Sequence, residues 1–71
     1  MTSHQLISEL FRIAKTRKIT HQLIADRTGK HRPHITAIAS SKQDPTLNNF
    51  IMICEAVGVE VKLTDLNQLS N

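Results

Sequence analysis

The sequence predicts an all-α domain of four short helices with a C-terminal strand appended. Three observations carry that expectation. Apolar residues recur at helical spacing in four windows, beginning near Leu6, Ile24, Ile35 and Leu47. Breakers fall between or after them, at Gly29, Pro45 and Gly58. Hydrophobic residues are 39% of the chain but aromatics only 3%, which favours helices packed through Leu, Ile and Val. The 71 residues give room for one small domain, taken as 1–71.

Ser3 caps a first helix that runs to about Arg17. Leu6, Leu10, Ile13 and Ala14 form its apolar stripe. Ile7 and Phe11 lie beside that stripe, as core edge or, alternatively, as a dimer contact. Lys15, Arg17 and Lys18 gather at the carbonyl end, where cations complement the dipole. They can also face a phosphate backbone.

Residues 20–39 read as helix, tight turn and helix. The Thr20 hydroxyl can accept from an unpaired amide of the first turn. Ile24 and Ala25 supply the buried stripe. Gly29 enters a left-handed turn without a Cβ penalty. The second helix begins near His31 or Arg32, with Pro33 in its first turn, where a missing N–H costs little. Ile35 and Ile38 are three apart and share a face that buries against the preceding helix. Arg32, His34 and Ala37 are assigned to the outward face, followed by Ser40 and Ser41.

Residues 39–45 form a loop, and Pro45 keeps Asp44 out of a helix. Thr46 caps a fourth helix, Leu47 to Val57. Its predicted buried face is Leu47, Phe50, Ile51, Cys54 and Val57, with Ile53 at the margin, and Gly58 ends it. The period then changes to two. Val59-Glu60-Val61-Lys62-Leu63-Thr64 alternates apolar and polar residues, which predicts a strand over 59–65. One isolated strand is unstable in water, and its open edge invites pairing. The simplest partner is the same strand of a second copy across a two-fold axis. Val59, Val61 and Leu63 are then the dimerisation residues. The alternative is an extended tail packed on its own domain. Residues from about Asn67 onward read as frayed.

Net charge is +3, but its distribution says more. Eight of the nine Lys and Arg residues lie between Arg12 and Lys42: Arg12, Lys15, Arg17, Lys18, Arg27, Lys30, Arg32 and Lys42. The same span holds one acid, Asp26. A charge so concentrated is the footprint of a polyanion binder, against the plainer reading of a solvated basic surface. Cys54 is the single cysteine, so an intramolecular disulfide is excluded. With no signal-peptide pattern and no apolar run of membrane-spanning length, the expected location is the cytoplasm, on the nucleoid, without a membrane partner.

Thirteen residues fall in register, without a gap, on one family pattern: Thr20, Ile24, Ala25, Gly29, Ile35, Pro45, Thr46, Leu47, Phe50, Ile53, Ala56, Gly58 and Val59. The chain resembles the lambda-repressor-like, Cro/C1-type (XRE family) helix-turn-helix DNA-binding proteins over about residues 6 to 59. It departs from them in three places. His31 replaces the usual Ser or Thr cap of the second motif helix. Ser41 stands where glycine is common. Ala14 and Ala39 occupy positions where many members pair an arginine with a glutamate. Losing both partners together avoids an uncompensated buried charge.

The resemblance implies double-stranded DNA as partner, with the second motif helix in the major groove. Carried over by position, the base-reading residues are Arg32, Pro33, His34 and Ala37. Arg32 can make a bidentate contact to guanine, with a phosphate contact as its alternative. Phosphate contacts are assigned to His21 and Gln22 at the amide end of the first motif helix. They are assigned also to Lys30, His31, Ser40, Ser41, Lys42 and Gln43 around the second, and more weakly to Arg17 and Lys18.

The function so implied is sequence-specific transcription regulation by a homodimeric repressor of the phage or mobile-element type, bound to an inverted repeat. One alternative is an antitoxin that autoregulates its operon and grips a toxin, or an antirepressor protein, around Ile7, Phe11 or the tail. Another is a protein-interaction module that keeps the fold without reading DNA, against which the basic skew argues. No metal or cofactor is expected. His31 and His34 are three apart, but no third ligand is near and Cys54 falls on a buried face. No nucleophile stands at a recognisable spacing from a base, so an enzyme is not expected.

Overall fold

The computed structural model describes residues 2–63 and, over them, is all-helical. Its four helices are α1 (Ser3–Thr16), α2 (His21–Thr28), α3 (Arg32–Ala39) and α4 (Leu47–Val57). Helices α1 and α2 each pack across both α3 and α4.

Local chemistry sets the ends. The cap of α1 is Thr2, one residue before the expected Ser3. Thr2 wins because Gln5 stands three residues on. The Gln5 N–H donates to Thr2 Oγ1 at 3.1 Å, and Thr2 N–H donates back to Gln5 Oε1 at 2.8 Å. Thr20 and Thr46 cap α2 and α4 as predicted, each accepting from the amide three residues on at 3.1 Å. His31 precedes α3 with no side-chain cap, and Pro33 lies in the first turn. Gly29 and Gly58 close α2 and α4 in left-handed conformations, with φ of 71° and 86°.

Those two glycines differ in surroundings, which makes a test. A Cβ on Gly29 meets nothing within 4 Å, whereas one on Gly58 comes within 3.0 Å of the Arg17 guanidinium. Gly29→Ala is expected to cost about 1–2 kcal/mol, the left-handed strain alone. Gly58→Ala is expected to cost more, because Arg17 must also move. Urea denaturation of the two variants measures the difference.

The core joins one stripe from each helix. Ile24, Ala25, Ile35 and Ile53 are fully buried, with Ile38, Ala14, Cys54, Val57, Ile7, Leu10 and Ala56 around them. Two expectations are corrected here. In α1 the buried row is Ile7, Leu10 and Ala14, while Leu6 is 42% exposed. In α4 it is Ile53, Cys54, Ala56 and Val57, while Phe50 and Ile51 are half-buried and Leu47 is 73% exposed. Leu47, first in its helix, lines an open groove with Leu6, Pro45 and Phe50 instead of entering the core. Burial also raises the Cys54 thiol pKa, with the Glu55 charge adding to it. Slow reaction with a thiol reagent at pH 7.5 is therefore expected, becoming fast in denaturant.

Among the described residues there is no strand, and Val59–Leu63 run as an irregular segment. Residues 64 and 65 of the predicted strand, and the tail from Asn67, lie outside the described residues.

Candidate nucleic-acid interface

Successive helical residues are about 100° apart, so burial of Ile35 and Ile38 fixes the rest of α3. The opposite face presents Pro33, Thr36, Ala37 and Ser40, with Arg32 at its edge. Together with Lys42 they line one shallow depression of about 360 Å³. Three of the expected base-reading residues, Arg32, Pro33 and Ala37, thus come together. His34 lies a quarter-turn further round, half-buried on the flank of the helix. Thr36 lies on the same face and was missed by sequence reasoning. The signal was available, since Thr36 is one position from Ile35 and three from Pro33 on the outward side.

Thr36 is also tethered. His21, first residue of α2, sits with Nδ1 3.0 Å from Thr36 Oγ1 and its ring edge-on to Phe11 at 5.5 Å. This contact joins the amide end of α2 to the outward face of α3. On its other side His21 lines a groove with Lys15, Lys18 and Phe11. The result is a continuous strip: Lys15 and Lys18, the N-terminus of α2, then the α3 face with Arg32 and Lys42. Dipole and side-chain charge have the same sign along it.

The remaining phosphate candidates divide by what already holds them. The Gln22 amide donates to Asp26 Oδ1 at 2.9 Å, within α2. The Ser40 hydroxyl donates back to the Thr36 carbonyl at 3.0 Å. Ser41 hydrogen-bonds His4 Nδ1 of α1 at 2.5 Å and has φ of 62°. That left-handed backbone is one that glycine adopts without strain. The Lys42 N–H donates to the Ala37 carbonyl at 2.9 Å, which folds the chain after α3 back along it. The backbone N–H of Gln43 donates to the same carbonyl at 3.3 Å. Lys30 is half-buried and His31 exposed, in the turn between α2 and α3. Lys18 is exposed with φ of 60°.

Arg17 is placed elsewhere. Its Nη1 donates to the Val57 and Gly58 carbonyls at 3.0 and 2.9 Å. Arg27 donates to the Ala56 carbonyl at 2.6 Å. Both guanidinium groups therefore satisfy the carbonyl end of α4, where orphan acceptors accumulate. Arg17→Ala is expected to lower stability by about 1–2 kcal/mol, read by thermal denaturation. Arg12 pairs with Glu9 on the surface of α1; that hydrogen-bonded partner holds the Glu9 carboxyl below its usual pKa.

Among the described residues the only ion pairs are Glu9–Arg12 and Glu60–Lys62. Lys15, Lys18, Lys30, Arg32 and Lys42 make none, and all five belong to the span around α2 and α3. No three His, Cys, Asp or Glu side chains converge as metal ligands among the described residues. No helix among them is long and apolar enough to cross a membrane. Comparison with protein-family models, with curated proteins and with solved structures gave no match, so the functional reading rests on this geometry and on the sequence pattern.

Proposed function

We propose that this chain is a sequence-specific DNA-binding protein, a homodimeric repressor in which α2 and α3 form a helix-turn-helix. The observation that carries the reading is the segregation of charge. The cations held neither by an acid nor by a backbone carbonyl surround α2 and the outward face of α3, while Arg12 is held by Glu9, and Arg17 and Arg27 by the carbonyl end of α4. In this reading α3 enters the major groove. Arg32, Pro33, Thr36 and Ala37 meet base edges, and His34 reaches the margin of the same site. His21, Lys15, Lys18 and Lys42 face phosphates, which position the helix without reading sequence. A dimer sets two such helices about 34 Å apart, on an inverted repeat. Repression follows from occupying a promoter.

Selection from a random DNA pool tests this, with Arg32→Ala and His34→Ala in parallel. An enriched inverted repeat whose preference relaxes at one symmetric base pair in the Arg32 variant supports the reading. Absence of enrichment by folded protein overturns it and turns the search to a protein partner.

A further inference from the structure

The segment after α4 leaves the domain in an ordered way. The Val59 N–H donates to the Cys54 carbonyl at 2.8 Å, and its side chain packs half-buried on the core. Val61, two residues on, is 49% exposed, and Leu63 is wholly exposed. An apolar row therefore begins on the domain, half uncovered at Val61 and fully so at Leu63. Val59 and Val61 line a groove with α1 and α4, where Leu6 and Phe50 add further apolar surface. Glu60 and Lys62 alternate with the row, 74–75% exposed, their charged ends 3.8 Å apart.

This pattern is complementary to itself. In an antiparallel pair of identical segments with Val61 on the two-fold axis, Glu60 lies opposite the partner's Lys62, and Lys62 opposite the partner's Glu60. Val59 lies opposite the partner's Leu63, and Val61 opposite the partner's Val61. Opposite charges and apolar residues facing each other are the favourable cross-strand pairs. Neighbouring registers lose this. A slip of one sets the charges against valine and leucine. A slip of two sets Glu60 against the partner's Glu60, or Lys62 against the partner's Lys62, and like charges directly opposite destabilise. We infer that residues 59–63 are a dimerisation strand whose occupant is a second copy of this chain, antiparallel and centred on Val61. This rests on the homodimer proposed above and deepens it by fixing its register.

Charge exchange tests the pairing, with no DNA present. Glu60→Lys and Lys62→Glu each place like charges at both pairs of their homodimer. Mixed together, the two variants regain attraction at both. Sedimentation equilibrium is expected to show each variant alone dimerising about tenfold more weakly than the mixture. A mixture no tighter than its components, or wild-type protein that stays monomeric at about 1 mM, overturns the proposal. Register is read by disulfide trapping in a Cys54→Ala background. Val61→Cys is expected to couple rapidly, since the two positions face each other within disulfide reach. Leu63→Cys is expected to couple slowly, its mates lying about 13 Å apart. Faster coupling at Leu63 overturns the register. A chain that dimerises in this way yet enriches no DNA keeps the strand and loses the repressor; a monomer that still enriches a site does the reverse.

Discussion

Ile35→Ala is expected to cost about 2–5 kcal/mol, the loss typical of emptying a fully buried core site. Ile35 is fully buried, and with Ile38 it is the only buried anchor that α3 sends into the core. Removing its branched end leaves a cavity among Ile24 and Ile53, which are equally buried and have little freedom to collapse inward. A domain this small has a total stability toward the lower end of the usual 5–15 kcal/mol, so the loss is a large part of it. The midpoint of thermal unfolding is expected to fall by roughly 10–30 °C. Leu47→Ala is the control, because that side chain is 73% exposed despite the apolar character of its helix. It is expected to change stability by less than about 0.5 kcal/mol. Equal losses for the two variants would mean that α4 buries the face read from the sequence rather than the one observed.

That contrast shows what could be read from the residues and what could not. The elements were legible because their ends are written in specific chemistry: Thr20 and Thr46 as caps, Gly29 and Gly58 where φ is positive. The buried faces of α2 and α3 were legible too, since those helices carry few apolar residues and Ile24, Ala25, Ile35 and Ile38 leave little choice. Helix α4 is different. Leu47, Phe50, Ile51, Met52, Ile53, Cys54, Ala56 and Val57 are apolar nearly all round. Periodicity then cannot choose a face, and contact with α1 and α2 makes the choice instead. In α1 the pairs Leu6–Ile7 and Leu10–Phe11 give a broad apolar arc whose centre is set by its neighbours. The candidate site shows the same division. The helical period puts Arg32, His34 and Ala37 on the outward face; Arg32 and Ala37 lie there, His34 sits half-buried on the flank, and Pro33 comes only by position from the resemblance. The Thr36–His21 contact spans 15 residues, and the Arg17 contacts to α4 span 40 and 41, so neither leaves a local mark.

Arg32→Ala and Lys42→Ala are expected to weaken DNA binding in two distinguishable ways. Arg32 stands in the first turn of α3 at the edge of its outward face, and its guanidinium fork matches the two acceptors of a guanine edge. Its loss should cost about 1–3 kcal/mol at each half-site and erase preference at one base pair, while other sequences bind nearly as before. Lys42 lines the same depression from beyond the end of α3, as a flexible point charge suited to a phosphate. Its loss should weaken binding to every sequence alike and lower the slope of log affinity against log salt by about 1 for each monomer. Arg17→Ala separates charge from position. It removes a cation of the same span, but one whose donors are spent on the carbonyls of Val57 and Gly58. At a temperature where the variant is folded, its salt slope should match that of the wild type. A slope that fell equally for Arg17 and Lys42 would mean that net charge alone drives binding, and α3 would then have no claim to be the reading helix.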